Sequence, residues 1–254
     1  MRGIARRWPA MLALIAALLP ASAAAQASTS PSQAEQLLVN ARTLMARGDD
    51  AAALPQLQEA ARLAPGWTAP QASLGMLHQG RGDEEFAREH LTRCQLLGLF
   101  ASGAEDSDLT RQIAAGEGMI LYLVNEERAR RDLPMLTPQA GISRVARGHS
   151  REMARLDYFS HASPNASRRT AMDRFEAVFG YRPVCIGENL ARMMSRPLWS
   201  LSLDNLRKSH KRLMLSARHR EMILWDRPTH MGVGIAVNDV GDYWVTEEFV
   251  RFEY

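Results

Sequence analysis

The sequence predicts an α+β protein in which an all-α N-terminal part precedes a part with mixed helices and strands. Apolar residues recur with helical spacing through residues 34–101, which also repeat with a period of 34. A further helical pattern covers 113–131. Two C-terminal segments, His230–Val237 and 243–252, are rich in β-branched and aromatic residues and flank a polar turn at 238–242. These patterns predict two domains.

Three shorter helices are predicted between the long helix and the strands. The first opens at Pro138 and carries an apolar stripe from Ile142 to Leu156. The second covers about 170–179 and the third about 203–215. Asp108 is expected to cap the long helix that precedes them, because a carboxylate accepts hydrogen bonds from the first backbone N–H groups of a helix.

Residues 1–27 predict a secretory signal peptide. A basic start precedes the apolar run 11–19, and small residues follow, with cleavage expected after Ala25 or Ala27. The run is shorter than the roughly 20 residues that span a bilayer, and no later stretch reaches that length. We therefore expect an exported protein, periplasmic or extracellular, without a transmembrane segment.

The charge distribution separates the two halves of the chain. The formal net charge of +3 equals the three arginines of the signal segment, so the mature chain is near neutral. Residues 28–108 hold 6 basic and 11 acidic residues, whereas 109–254 hold 22 and 17. The split fits either two mutually attracting domains or two ordinary solvated surfaces. A nucleic-acid partner is not expected of a near-neutral exported chain.

The chain has two cysteines, Cys94 and Cys185, one in each half. Export permits a disulfide, but their separation in sequence says little about their proximity, so two buried thiols are the favoured interpretation. A framework of several disulfides is excluded.

The 34-residue period has a structural explanation. Gly48-Asp49 in the first copy, 34–67, recurs as Gly82-Asp83 in the second, 68–101. The period, with glycine at the turn between two helices, resembles the tetratricopeptide repeat, which implies a protein partner. Two repeats bury too little apolar surface to be stable by themselves, so we expect them to pack against the C-terminal domain or a partner.

Two imidazoles and a carboxylate mark a candidate site in the C-terminal half. They are His161 in Tyr-Phe-Ser-His, Glu188 in Gly-Glu-Asn and His219 in His-Arg. Neutral imidazole ligates metals and carries protons near neutral pH, and a carboxylate can orient it. Two histidines and a carboxylate suit Zn²⁺, with water or a substrate completing the coordination. Each residue also has an ordinary interpretation as a hydrogen-bonded or surface group.

The order of motifs in the C-terminal half resembles the CAP superfamily of cysteine-rich secretory, antigen 5 and pathogenesis-related proteins, in its cysteine-poor bacterial exported branch. The resemblance covers about residues 112–254 and implies an α-β-α sandwich with a central cavity. The matching segments are 123–128, 149–153, 158–161, 187–190, 219–224, 229–234 and 243–245. The predicted organisation is a signal peptide at 1–27, two tetratricopeptide-like repeats at 32–101, an acidic linker at 102–111 and the CAP domain at 112–254.

The resemblance also implies site residues. Many animal members of the superfamily carry two histidines and two glutamates in the cavity; His161 and His219 match the histidines, and Glu188 matches one glutamate. The second glutamate has no clear equivalent and would fall near Ser216. Arg218 adds a bulky charge beside the proposed cleft, because Ser-Ala-Arg replaces the commoner Ser-Pro-Gly before His219.

Three further histidines and one basic segment are the other polar features of the C-terminal half. His149 lies on an apolar stripe and is expected to be a core histidine that approaches the cavity, and His210 and His230 are expected to be structural or exposed. The basic segment from Arg207 to Arg220 is either a solvated face or a site for an anionic partner. That partner would be a phospholipid surface, a cell-wall polymer or the acidic repeats of the same chain.

Three functions remain open: binding is favoured over catalysis, and in a third, less favoured interpretation the CAP fold is a scaffold and the repeats carry all of the function. In the first, the cleft holds a divalent metal, a lipid or a peptide while the repeats recruit a protein. In the second, a His-bound metal or a His–Glu pair activates water or the Ser163 hydroxyl in a hydrolase acting on peptide, ester or cell-wall substrates. His161, Glu188 and His219 are then the catalytic candidates. No Gly-x-Ser-x-Gly or His-Glu-x-x-His motif supports the hydrolase.

Overall fold

The computed structural model describes residues 31–194 and 201–253. It divides the chain into two compact units, with the boundary between Pro65 and Gly66. The predicted signal peptide at 1–27 lies outside the described residues.

The first described segments are helical, and the strands come later in the chain. The helices are α1 (Pro31–Ala46), α2 (Asp50–Leu63), α3 (Thr68–Gly80), α4 (Glu84–Phe100), α5 (Asp108–Ala129), α6 (Ala140–Leu156), α7 (Ala171–Phe179), α8 (Leu203–Leu215) and α9 (Ala217–Ile223). A short 3-10 turn spans Ala166–Arg168. The strands are β1 (Thr137–Pro138), β2 (Cys185–Met193), β3 (His230–Val237) and β4 (Tyr243–Arg251).

The first unit is a helical hairpin of α1 and α2. Gly48 adopts a left-handed φ of 78° at the turn, which glycine reaches without steric cost. The Asp49 carboxylate then accepts a 3.1 Å hydrogen bond from the Ala52 N–H and caps α2. The helices pack through buried small and leucine side chains. These are Ala34, Leu38, Ala41, Ala53, Leu57 and Ala60.

A second hairpin, α3 and α4, belongs to the second unit and uses the same turn chemistry. Gly82 repeats the left-handed turn with a φ of 76°, 34 residues after Gly48. Its helix α4 packs against α5, where the absence of a side chain at Gly118 lets the backbone of Thr92 approach closely. The two hairpins are therefore present, and their assignment to the tetratricopeptide class stays a prediction.

The second unit contains a four-stranded sheet in the order β1-β3-β4-β2. β3 and β2 both pair antiparallel with β4, while β1 runs parallel to β3. The register places Glu188 opposite Glu248 and Asn189 opposite Glu247. Because successive side chains of a strand alternate between faces, Glu247 and Glu248 point to opposite sides of the sheet.

Helices cover both faces of the sheet, as the α-β-α expectation requires. On one face, α6 lies so close to β3 that a Cβ atom on Gly232 or Gly234 would meet the α6 backbone. The other face carries the larger apolar core, in which Ile235 of β3 packs with Leu206 of α8 over Gly116 of α5. The central strand β4 is buried along nearly its whole length.

Two of the predicted helix starts are wrong. Pro138 does not open a helix: it lies in β1, and α6 begins at Ala140 after Gln139, whose side chain caps it. Proline has no N–H for a sheet, and the short edge strand tolerates it. α5 begins at Asp108 rather than after it, because Ser107, not the expected Asp108, caps it through a 3.1 Å bond from the Thr110 N–H.

Cys94 and Cys185 are both buried and unpaired, in agreement with the expectation of two thiols. Burial raises the pKa of Cys94 to about 12, so this thiol stays protonated at neutral pH. Among the described residues, no helix combines the length and the apolarity that a membrane crossing needs.

A buried ion pair joins the helical layers. Glu117 of α5 and Arg147 of α6 are 0% and 2% exposed, and the Arg147 Nε donates to Glu117 Oε1 at 2.8 Å. Arg147 also donates to the side-chain oxygen of Gln95 in α4 at 2.9 Å. Glu117 accepts a 3.2 Å bond from the Ile235 N–H of β3. One charged pair thus contacts three helices and the sheet.

The contact between α6 and β3 generates a stability prediction. Gly234→Ala should lower the free energy of unfolding by about 2 kcal/mol or more, because the new methyl would overlap the backbone at Arg147. The measurement is chemical denaturation of the purified protein followed by circular dichroism.

Gly148 in the same helix is the matched control. A Cβ there meets no atom within 4 Å. Gly148→Ala should therefore raise the free energy of unfolding by about 0.5–1 kcal/mol through the better helix propensity of alanine. Equal effects of the two substitutions would contradict the close packing of α6 on β3.

Candidate functional site

Glu188 in the middle of β2 is the centre of the candidate site. Its side chain is 4% exposed, and Oε1 lies 2.7 Å from Nδ1 of His161. Its Oε2 accepts a 2.5 Å hydrogen bond from Nη2 of Arg174. Burial raises the pKa of Glu188, but the His161 hydrogen bond and the Arg174 charge outweigh burial and leave that pKa below its usual value.

Arg174 of α7 fixes the loop that carries His161. It is 5% exposed, and its Nη1 donates to the carbonyl oxygens of His161 at 3.1 Å and of Arg169 at 3.3 Å. A capping box of Thr170 and Asp173 holds the start of α7. The same guanidinium therefore positions both the histidine loop and the carboxylate. The sequence reasoning missed Arg174, since a single arginine in a short helix gives no signal of its own.

Glu248 of β4 is a second carboxylate that sequence reasoning missed. It lies opposite Glu188, on the same face of the sheet, and is 0% exposed. Its Oε1 is 4.0 Å from Nη2 of Arg174. Burial, followed by the charge of Glu188, raises the pKa of Glu248 well above its usual value. Two adjacent carboxyl groups in this setting carry one negative charge between them, held on Glu188.

His219 of α9 approaches the site from the other side. Its Nδ1 lies 2.8 Å from the Ser216 hydroxyl, and its carbonyl oxygen accepts a 3.1 Å bond from the Asn189 side chain. Burial lowers the pKa of His219, and nearby His161 and Arg218 lower it further. The imidazole is therefore neutral at neutral pH, which is the form that ligates a metal.

The two predicted histidines and Glu188 line one cleft of about 360 Å³. Both imidazoles are bonded through Nδ1, and no hydrogen bond to either Nε2 is present within residues 31–194 and 201–253. The lining combines cationic and apolar side chains. It comprises His161, Ala162, Arg169, Thr170, Ala171, Ile186, Gly187, Glu188, Asn189, Arg218, His219 and Met222.

The three predicted residues do not form a three-ligand metal cluster in this geometry. Across the described part of the chain, no group of three or more His, Cys, Asp or Glu side chains is arranged to hold a metal ion. Both Glu188 oxygens are already engaged, one by His161 and the other by Arg174. Glu188 therefore fits a carboxylate behind a histidine better than a direct ligand. The ligand set of His161, His219 and Glu188 stays a prediction.

His149, His210 and His230, the other histidines singled out in the sequence, are not among the residues that line the cleft. His149 is 1% exposed, and its Nε2 lies 3.0 Å from the Ser160 carbonyl oxygen and 3.8 Å from Glu188 Oε2. Burial lowers the pKa of His210 to about 4. His230 Nδ1 lies 2.9 Å from the Thr229 hydroxyl.

Ser163 does not line the cleft. It is 4% exposed, and its hydroxyl oxygen accepts a 3.0 Å bond from the Asn165 N–H. Its hydroxyl is thus placed outside the cleft that holds His161 and His219.

The basic segment from Arg207 to Arg220 is partly neutralised within the chain. Arg207 donates to Glu84 of α4 at 3.3 Å, and Arg220 donates to the Met214 carbonyl oxygen at 3.1 Å. These bonds weaken the case for one continuous anion-binding face, which stays a prediction.

The sheet covered by helices on both faces, with a histidine-lined cleft beside Glu188 of β2, defines an α+β sandwich protein. The chain belongs to the CAP family: the family described as the cysteine-rich secretory protein family matches residues 121–249. The resemblance drawn from the motifs is thereby confirmed for the C-terminal domain.

One curated relative and two solved structures are similar to this chain. YkwD of Bacillus subtilis (strain 168) is 30% identical over 138 residues, covering 54% of this chain and 48% of YkwD. The chain thus spans about half the length of that relative.

The first structure is an extracellular protein containing an SCP domain from Bacillus anthracis str. Ames. It has a TM-score of 0.47 and 27% identity, with 58% of this chain and 45% of that chain covered. The second is an outer surface protein from Borrelia burgdorferi, with a TM-score of 0.47 and 14% identity. That match covers 54% of this chain and 93% of that chain.

Glu247 generates a pH prediction on the opposite face of the sheet. It is 1% exposed and accepts a 3.2 Å bond from Asn189 Nδ2, the same amide nitrogen that holds the His219 carbonyl. Burial raises its pKa to about 7. Between about pH 4.5 and 7 the native state keeps a proton that the unfolded state has lost, so stability falls as the pH rises.

Glu247→Gln should remove this dependence. Relative to the variant, the wild type should lose about 3 kcal/mol of unfolding free energy between pH 4.5 and pH 8, because each pKa unit of difference corresponds to about 1.4 kcal/mol. Urea denaturation over this pH range measures the difference. Parallel pH profiles for the two proteins would show that Glu247 titrates normally.

Proposed function

We propose that this CAP-domain protein is an exported binding protein whose cleft holds a divalent cation such as Zn²⁺ on Nε2 of His161 and Nε2 of His219. The carrying observation is the orientation of the two imidazoles. Each is bonded through Nδ1, one to Glu188 at 2.7 Å and one to Ser216 at 2.8 Å, and both line the same cleft. Export rests on the predicted signal peptide.

The groups that contact Nδ1 of the two histidines, Glu188 and Ser216, suit metal binding at Nε2. A ligating histidine usually donates its second ring N–H to a carboxylate or another acceptor, which fixes the tautomer and raises the basicity of the ligand. Glu188 fills that role for His161, and its low pKa keeps it ionised. Two protein ligands leave room for water or for a donor atom of a bound molecule, so the ion would serve to capture a ligand.

The cleft also fits a ligand with a negative group and an apolar portion. Arg169 and Arg218 bring positive charge to the cleft, and Ile186 and Met222 supply apolar surface. A lipid or a peptide with a terminal carboxylate has this character. A protein partner at the two helical hairpins stays a separate prediction.

Metal titration tests the proposal. Metal-free wild-type protein should bind about one Zn²⁺ per chain at pH 7 by calorimetry, and the His161→Ala, His219→Ala double variant should lose that binding. Glu188→Gln should weaken binding by roughly 10- to 100-fold, because the histidine loses its orienting carboxylate. The double variant should also lose the rise in Tm that Zn²⁺ gives the wild type.

His230→Gln is the control, since this histidine lies outside the cleft and should leave the affinity for Zn²⁺ unchanged. If the double variant binds Zn²⁺ like the wild type, the two histidines are not the ligands. Circular dichroism of each variant separates loss of the site from loss of the fold.

The His161–Glu188 pair also supports a second candidate, a hydrolase in which His161 acts as a general base on water. The 2.7 Å contact places a carboxylate behind the imidazole, where it would hold the tautomer whose Nε2 can accept a proton. Because Ser163 lies outside the cleft, water would be the attacking group. Turnover of a peptide, ester or cell-wall fragment that disappears in Glu188→Gln would support this candidate, and absence of turnover across such substrates would count against it.

A further inference from the structure

A second concave surface lies behind the cleft, between α6, the 3-10 turn and α7. We call it the arginine groove. Its volume is about 530 Å³, and six of its fourteen lining residues are arginines, against one carboxylate, that of Glu152. The arginines are Arg144, Arg147, Arg151, Arg155, Arg168 and Arg174.

Four of these arginines have exposed side chains. The side chains of Arg144, Arg151, Arg155 and Arg168 make no ion pair or hydrogen bond with any residue in the described ranges. Three of them follow one another along α6, and residues 144 and 155 are about 16 Å apart at 1.5 Å per residue. Like charges at this spacing repel one another, so the arrangement costs stability when nothing binds.

The other two arginines are buried in the wall of the groove. Arg147 and Arg174 are 2% and 5% exposed, and they are hydrogen-bonded to the carboxylates of Glu117 and Glu188. Nη1 of Arg147 and Nε of Arg174 are buried N–H donors without a hydrogen-bond partner among the described residues. A buried N–H without an acceptor is costly, so an anion that reached these two atoms would gain hydrogen bonds.

A glycine of α6 leaves open space in the groove because it has no side chain. Gly148 lies between Arg144 and Arg151 on the same face of α6, and a Cβ there would meet nothing within 4 Å. The single carboxylate, Glu152, is engaged by the Tyr158 hydroxyl at 2.7 Å. The surface thus combines concavity, unpaired cations and little competing negative charge.

We infer that the arginine groove binds a linear, phosphate-bearing polymer. Guanidinium groups match phosphate oxygens with two parallel hydrogen bonds. The three exposed arginines of α6, spread over about 16 Å along the helix, would with Arg168 engage several phosphates rather than one. The concave wall that contains Arg147 and Arg174 favours a strand lying in the groove over a flat membrane surface. The inference does not depend on metal binding at His161 and His219.

The test uses the full exported chain and short-chain inorganic polyphosphate, without added metal. Wild-type protein should bind the polymer, and Arg151→Gln, Arg155→Gln should weaken binding by about tenfold or more, since charge-assisted hydrogen bonds are lost. The salt dependence should also become shallower in that variant because fewer counterions are released. Both residues are exposed, so the fold should be unaffected.

Arg207→Gln, Lys211→Gln is the matched control, because it removes the same charge from the basic segment on α8. It should bind polyphosphate like the wild type, as should the His161→Ala, His219→Ala variant. Inorganic orthophosphate should bind far more weakly than the polymer.

Several results would overturn the inference. They are absence of wild-type binding, an equal loss in the α6 and α8 variants, and orthophosphate binding as tight as that of the polymer. Binding to phosphatidylglycerol vesicles that needs Arg151 and Arg155, without binding to polyphosphate, would assign the surface to a membrane instead. Loss of polymer binding in the histidine variant would move the site to the cleft.

Discussion

The pairing of Glu117 with Arg147 fixes how the helical layers meet the sheet. β1 ends at Pro138, opposite Met231, so no strand of the described residues lies beside the N–H of Ile235 on that side of β3. Glu117 supplies the acceptor for this N–H, and Arg147 neutralises the buried carboxylate. Removing one partner would leave an uncompensated buried charge, at a cost of about 3–5 kcal/mol. The positions of α5, α6 and β3 therefore depend on both residues being present.

The candidate site repeats this arrangement with different consequences. Arg174 and Glu188 form a second buried pair, but here the carboxylate also contacts an imidazole at the cleft. The His161 hydrogen bond and the Arg174 charge lower the pKa of Glu188. Burial raises the pKa of the neighbouring Glu248, which therefore stays protonated. Because adjacent like charges disfavour one another, the His161 hydrogen bond and the Arg174 charge together favour ionisation of Glu188 over Glu248. That charge orients His161.

One buried arginine, Arg174, also connects the cleft to the arginine groove. Arg174 has Nη2 on Glu188 at the cleft and lines the groove on its other side. An anion in the groove would act on the same guanidinium that positions Glu188 and the His161 loop. The front of β2 and the back of α6 are thus linked by a single side chain, while the predicted basic segment on α8 is partly used in bonds to its own chain.

The sequence by itself predicted the bounds of α8 and β3 and the candidates His161, Glu188 and His219, because local periodicity and ordered motifs are properties of short segments. The repeating glycine turns at Gly48 and Gly82 were also legible from it. It did not predict β1 or α9. Only the tertiary structure decided the pairing of Glu188 with Glu248, the contact with Arg174 and the convergence of arginines on one groove. These depend on strand register and on the packing of α6 and α7, where partners are remote in sequence and each residue taken singly is ordinary.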